Sequence, residues 1–212
     1  MTVNNIVNMA VIKGLDIIAL TDHNSSANCP AFLEVAKSSG IKALAGMEIN
    51  TMEEVHAVCL FPTLDKAMAF DKFVYESLPD VQNRPDIFGD QLILNAKDEV
   101  IGRLDKLLIN ASGISFYDLN DLMEEYGGIY FPAHIDRDSF SLISNLGFVP
   151  PDCIMSAIEI KDMAKYHAIR SENPIVQDLP LIRNSDAHYL WELSEKVNSL
   201  DKRIYDKISK WF

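Results

Sequence analysis

Apolar positions along the chain follow a repeated rhythm: a helix-spaced stripe, then a glycine, then a short continuous apolar run. Thr2 is placed to cap a first helix whose Ile6, Met9 and Ala10 share one face, and Gly14 offers the left-handed stop. Leu15–Leu20 (LDIIAL) then reads as a strand buried on both faces. The unit recurs in Ala31–Ser39, Gly40 and IKALAGMEI, and again in Phe116–Tyr126, Gly127-Gly128 and IYFPA. Further strands are expected at Val55–Phe61, Ala157–Ile160 and Leu179–Asn184, with helices over Leu64–Leu78 and Lys97–Ile109 and helical turns across Trp191–Phe212. Pro79–Asn95 reads as loop, and the stretch 79–110 as an insertion or cap within a single domain spanning 1–212. Alternating strands and helices predict an α/β protein with a parallel sheet, either open and doubly wound or closed as a β/α barrel. A barrel of that kind begins on a strand, whereas this chain opens on a helix.

The polar residues that interrupt this pattern gather at strand ends. LDIIAL runs into Thr21-Asp22-His23-Asn24, IKALAG into Met47-Glu48, IYFPA into His134-Ile135-Asp136-Arg137, and LPLIRN into Ser185-Asp186-Ala187-His188. Carboxyl ends of parallel strands converge on one face, so His23, Glu48, His134, Asp186 and His188 are expected to meet, with His56 pointing into the same mouth. Imidazoles and carboxylates in that number form the donor set of a multinuclear metal site suited to Zn, Mn or Fe. Glu48, a lone acid after an apolar run, is the bridging candidate. Each residue also has a structural reading: Asp22 could cap its turn and Asp186 the next helix. Four of the five histidines fall at strands or strand ends, and that is what the metal reading rests on. His167 lies on a mixed-polarity helix and reads as surface, and Glu159 alternates along its strand as a ligand or supporting group.

Composition adjusts this picture in three places. Hydrophobic residues make up 48% and charged residues 24%, a globular balance. The 19 basic and 31 acidic residues give a net charge of −12, which disfavours a broad nucleic-acid-coating surface but suits a cation-binding pocket. Cys29, Cys59 and Cys153 form no CxxC pair and fit a reducing, cytoplasmic setting better than a disulfide framework. No apolar run is long enough to span a membrane, and no basic-apolar leader opens the chain. GxSxG, GxGxxG and GxxxxGK[ST] are all absent, which disfavours serine hydrolase, Rossmann and P-loop chemistry.

Taken in order, Thr21-Asp22-His23-Asn24, Gly46-Met47-Glu48-Ile49, Val55-His56, Ala133-His134 and Ser185-Asp186-Ala187-His188 resemble the successive motifs of the PHP (polymerase and histidinol phosphatase) phosphoesterases. The resemblance implies a distorted (β/α)7 TIM-like barrel with a trinuclear site of divalent ions. It also implies hydrolysis of a phosphomonoester or a nucleotide or oligonucleotide phosphoester by metal-bound hydroxide. His23, Glu48, His56, His134, Asp186 and His188 match metal ligands. Asp22 belongs to the catalytic site by orienting His23, and Arg137 is the candidate phosphate contact. The expected partner is a phosphorylated small molecule or short nucleotide, with no membrane.

One motif of that family has no counterpart: the opening strand with D-x-H-x-H. Met1–Asn5 instead resembles the segment that follows it. The fold expected is therefore a barrel missing its first strand. Met1 would be an internal methionine of a longer chain, or the chain a truncated remnant or a non-catalytic metal-binding or interaction variant, with activity weakened accordingly. An amidohydrolase-like barrel is a further alternative, disfavoured because no lysine reads as placed at a strand end to bridge metals.

Overall fold

The computed structural model describes residues 1–212 as a mixed α/β fold. Helix α1 (Val3–Ile12) is capped by the Thr2 side chain and leads to strand β1 (Ile17–Leu20), helix α2 (Cys29–Ser38) and strand β2 (Lys42–Asn50). Gly14, Gly40 and Gly127 take φ values of +68°, +72° and +69°, the left-handed turn that lets each helix hand over to its strand. Strand β3 (His56–Phe61) follows, then α3 (Leu64–Ser77). The segment 79–110 contains the single turn α4 (Pro85–Phe88) and the hairpin β4 (Leu92–Leu94) and β5 (Val100–Arg103). Next come α5 (Leu119–Tyr126), β6 (Ile129–Pro132), α6 (Leu142–Leu146), β7 (Ile158–Glu159), α7 (Met163–Glu172), β8 (Leu181–Ile182) and α8 (Lys202–Ile208).

Three expectations are corrected. The helix expected over Lys97–Ile109 is not formed: Asn95 Oδ1 accepts the N–H groups of Lys97 and Glu99, turning the chain back into β5. Val100, Ile101 and the closely packed Gly102 favour the extended form. The sheet is not all parallel. β1 and β2 run parallel, but β3 lies antiparallel between β2 and β6. Only residues 51–55 join β2 to β3, too few for the crossover a parallel pair demands. Nor do the strands close into a hydrogen-bonded barrel. They form a four-stranded sheet β1-β2-β3-β6 and the separate pairs β4-β5 and β7-β8.

Ile135 N–H donates to Glu159 O and Ser156 N–H to Tyr130 O, so β7 continues beside β6 in parallel. β1 and β8 each lack a neighbour on their other edge. Between them lies a cavity of ≈490 Å³, floored by Leu44, Val58, Leu60 and Phe131 and reached by Met1 and Ile6. This open edge explains why Ala19, in a run expected to be buried on both faces, is exposed. A 35-residue core that includes residues of α1, α2, α3 and α5 fills one side of the sheet, and a smaller cluster under α8 fills the other.

Candidate metal centre

β1, β2, β3 and β6 deliver four side chains to one point. Glu48, buried near the end of β2, has Oε2 3.2 Å from His23 Nδ1. Its Oε1 lies 3.4 Å from both His56 Nδ1 and His134 Nε2. Residue directions on the pleat produce this convergence. His23 bridges to Glu48 in continuation of the parallel β1-β2 register, and His56 opens the strand antiparallel to β2. Burial opposes ionisation of Glu48. Hydrogen bonds from His134 and His56, with the charges of His56 and His23, outweigh it and hold the carboxyl well below its usual range. Burial pushes His23 below its ordinary value despite the attraction of Glu48, so its imidazole is favoured in the neutral, ligating form.

Asp186 and His188 stand beside this group without touching Glu48. The His188 ring centroid is 5.9 Å from that of His23, and His188 Nδ1 lies 3.1 Å from Asp186 O. Asp186 Oδ2 is engaged by Arg137 Nη2 at 2.7 Å and by Lys161 Nζ at 3.1 Å. Asp22 forms no ion pair with an imidazole. Its Oδ2 is 3.5 Å from Asn28 Nδ2, burial raises its pKa, and its carbonyl accepts the Glu48 N–H. Its tie to the site is thus through the backbone of β2. His167 is exposed on α7, as expected. Glu159 is buried, with Oε2 accepting from Asn184 and Oε1 without a partner. Its pKa is pushed up to about 7 by burial.

The donor set suits a divalent ion. Ligand atoms of His23, Glu48 and His56 lie within 4.8 Å of one another, and His134 joins them through the same carboxylate. Backbone strain gathers here as well. Of six non-glycine residues with positive φ, four belong to or adjoin the site: Asn24 beside His23, His134, Phe140 stacked on His56, and Asp186. Asn24 is fully buried. Its amide donates to Leu108 O and Asn110 O while its Oδ1 accepts Asn50 N–H, so the loop carrying His23 is tied both to β2 and to the 79–110 segment. Sequence reasoning did not find this role, although the tolerance of Asn for the left-handed region was the available signal. Phe140, which stacks on His56 at 4.9 Å, was also not found. Lys161, two residues beyond Glu159, is a further omission: it follows β7 and places its Nζ on Asp186. All three cysteines are free and buried, and burial raises Cys29 to about 12, which is inconsistent with a thiolate nucleophile.

An α/β sheet with imidazoles and a carboxylate gathered at its strand ends defines the class of fold in which strand-end side chains carry the site. The sequence profile of the PHP domain matches residues 1–134, and the chain belongs to that family. Solved structures that share the fold include the following three. One, provisionally named a metal-dependent phosphoesterase, from Bifidobacterium adolescentis, is 16% identical, with TM-score 0.63, covering 99% of this chain and 91% of that one. An amidohydrolase from Chromobacterium violaceum, with sulfate bound and no metal, is 17% identical, with TM-score 0.65 and coverage of 100% and 92%. The lesion-specific endonuclease of Pyrococcus furiosus is 19% identical, with TM-score 0.61, and this chain spans 98% of itself but 51% of that protein. No curated protein matches the sequence. No helix is long and apolar enough to cross a membrane.

Proposed function

We propose that this chain is a metal-dependent phosphoesterase acting on a phosphorylated small molecule or short nucleotide in a cytoplasmic setting. The observation that carries the reading is the approach of three imidazoles to one buried carboxylate at 3.2–3.4 Å, at the ends of four strands. His23, Glu48, His56 and His134 would hold the first ions, Glu48 supplying the carboxylate among the three imidazoles. Asp186 and His188 would complete a site for two or three ions of Zn, Mn or Fe. The chemistry such ions supply when bound is activation of water and neutralisation of charge at the leaving oxygen. Asp22 holds the β1 end in register with Glu48 through its carbonyl, and Arg137 binds a phosphate oxygen through its guanidinium fork. In the overall reaction a water oxygen bonds to phosphorus and the ester P–O bond breaks. The departing oxygen takes a proton, giving an alcohol and hydrogen phosphate from a phosphomonoester.

The finer fold in this reading is the distorted β/α barrel of the family, with the β1–β8 gap as the place of one further strand. A second reading, a metal-binding domain with little turnover, is favoured by Asp186, whose Oδ2 is already engaged by Arg137 and Lys161. One experiment separates the two. Metal content and hydrolysis of p-nitrophenyl phosphate are measured for the wild type and for Glu48→Gln. The phosphoesterase reading expects bound metal and turnover in the wild type and loss of both in the variant. Metal without turnover supports the second reading, and equal metal content and equal rates in both proteins would remove Glu48 from the site.

A further inference from the structure

Opposite the imidazole cluster, the mouth carries two cations on one carboxylate oxygen. Arg137 Nη2 and Lys161 Nζ both meet Asp186 Oδ2, and neither charged group contacts another carboxylate. Lys161 is held in place from behind. Asp136, which is 7% exposed, accepts the Lys161 N–H on one oxygen at 3.1 Å and the Asp162 N–H on the other at 2.7 Å. Lys165 Nζ donates to the Asp136 carbonyl at 2.9 Å. These contacts fasten the turn after β6 to the turn after β7, so the ammonium of Lys161 and the guanidinium of Arg137 face a common point from two fixed loops.

The charge balance of that point decides what it binds. At the Asp186 oxygen itself, two monocations meet one carboxylate, an excess of one positive charge at that contact. Should Asp186 turn to a divalent ion, both cations lose their counter-charge beside an already positive centre. Like charges gathered on one side chain repel once that side chain no longer offsets them. An anion placed between them restores the counter-charge. A phosphodiester brings one charge and two free oxygens. A phosphomonoester brings two charges and three free oxygens: one for the guanidinium, one for the ammonium and one for the imidazole–carboxylate cluster.

We infer that Arg137 and Lys161 form a two-pronged site for a dianionic terminal phosphate, which makes the substrate of this chain a phosphomonoester rather than an internal diester. The inference rests on the phosphoesterase reading for its substrate, but the anion site itself can be measured without turnover. In metal-free protein, inorganic phosphate binding is followed by titration calorimetry at neutral pH for the wild type, Asp186→Asn, Lys161→Met and the double variant. Asp186→Asn releases both cations and is expected to tighten phosphate binding about tenfold, and adding Lys161→Met is expected to reverse the gain. Binding that does not tighten in Asp186→Asn, or that ignores Lys161→Met, overturns the site.

In metal-loaded protein, the ratio of kcat/KM for phenyl phosphate to that for bis(p-nitrophenyl) phosphate is expected to fall about tenfold in Lys161→Met and to recover in part in Lys161→Arg. An equal loss on both substrates overturns the monoester preference. Phosphate binding as expected, with no hydrolysis of either ester, overturns the phosphoesterase reading while leaving the cation site standing. Circular dichroism of each variant separates loss of binding from loss of fold.

Discussion

Glu159 is a buried acid whose Oε1 has no partner, one strand away from His134, whose Nδ1 also has none. Burial, with the neighbouring charges of Glu48 and Asp186, raises it from 4.5 to about 7, against the lowering pull of Asn184 and His134. A carboxyl whose folded pKa lies above its unfolded one takes up protons on folding between the two values. It therefore contributes stability at low pH that is lost as pH rises from about 4.5 through about 7. His23 acts in the opposite sense, since its lowered pKa makes folding release protons below its ordinary 6.5. The comparison that isolates Glu159 is thus the thermal midpoint of metal-free wild type against Glu159→Gln across this range. The wild-type midpoint should fall relative to the variant between mildly acid and neutral pH. Parallel profiles would show that Glu159 titrates as an ordinary exposed acid.

Among the elements, the contact that positions Glu48 is the approach of β2 to β3 at Gly46, two residues earlier. A Cβ there would lie 2.7 Å from Leu60 Cδ2, 2.8 Å from the Cys59 carbonyl and 3.0 Å from Thr21 Cγ2. The carbonyl cannot yield without breaking the β2–β3 ladder, in which Gly46 faces Leu60 and Glu48 faces Val58. Gly46→Ala is expected to cost about 1–3 kcal/mol in urea unfolding, as overpacking does. It should also lower metal occupancy by moving Glu48 relative to His56. A variant as stable as the wild type with full metal content would mean that the strands separate freely.

Sequence periodicity exposed the helix–glycine–strand handovers at Gly14, Gly40 and Gly127 because each requires a left-handed residue that other side chains avoid. It did not expose the direction of β3, since strands buried on both faces look alike whichever way they run. The short link 51–55 was the overlooked signal. His23, Glu48, His56 and His134 were legible because acids and imidazoles at the ends of apolar runs are conspicuous. Lys161 and Asp136 were not. A charged residue between a strand and a helix looks the same whether it faces solvent or the mouth, and only the hydrogen bonds from the β7–α7 turn distinguish them.

At the scale of the molecule, the parallel strands β1, β2, β6, β7 and β8 all bring their carboxyl ends to the same mouth, and β1 and β8 stand with free edges on either side of one cavity. Both strands present unpaired backbone groups to the ≈490 Å³ cavity, with Ile17 half-buried and Ala19 exposed along one side. Unpaired apolar strand edges are templates for pairing with another chain, so this face is a liability for self-association. The geometry offers a direct test, because Met1 lies at the cavity and a segment fused ahead of it through a flexible linker can reach the gap. A short run alternating apolar and polar residues, able to pair with β1 and β8, should raise the thermal midpoint by roughly 5 °C or more, since about 1 kcal/mol shifts it by about 2–4 °C in a domain of this size. It should also reduce sedimentation as higher oligomers. The matched control carries prolines at alternate positions, which cannot donate to either edge but leave the linker and length the same. If the pairing segment and the proline control give equal midpoints, the gap does not accept a strand, and the barrel reading of this fold fails with it.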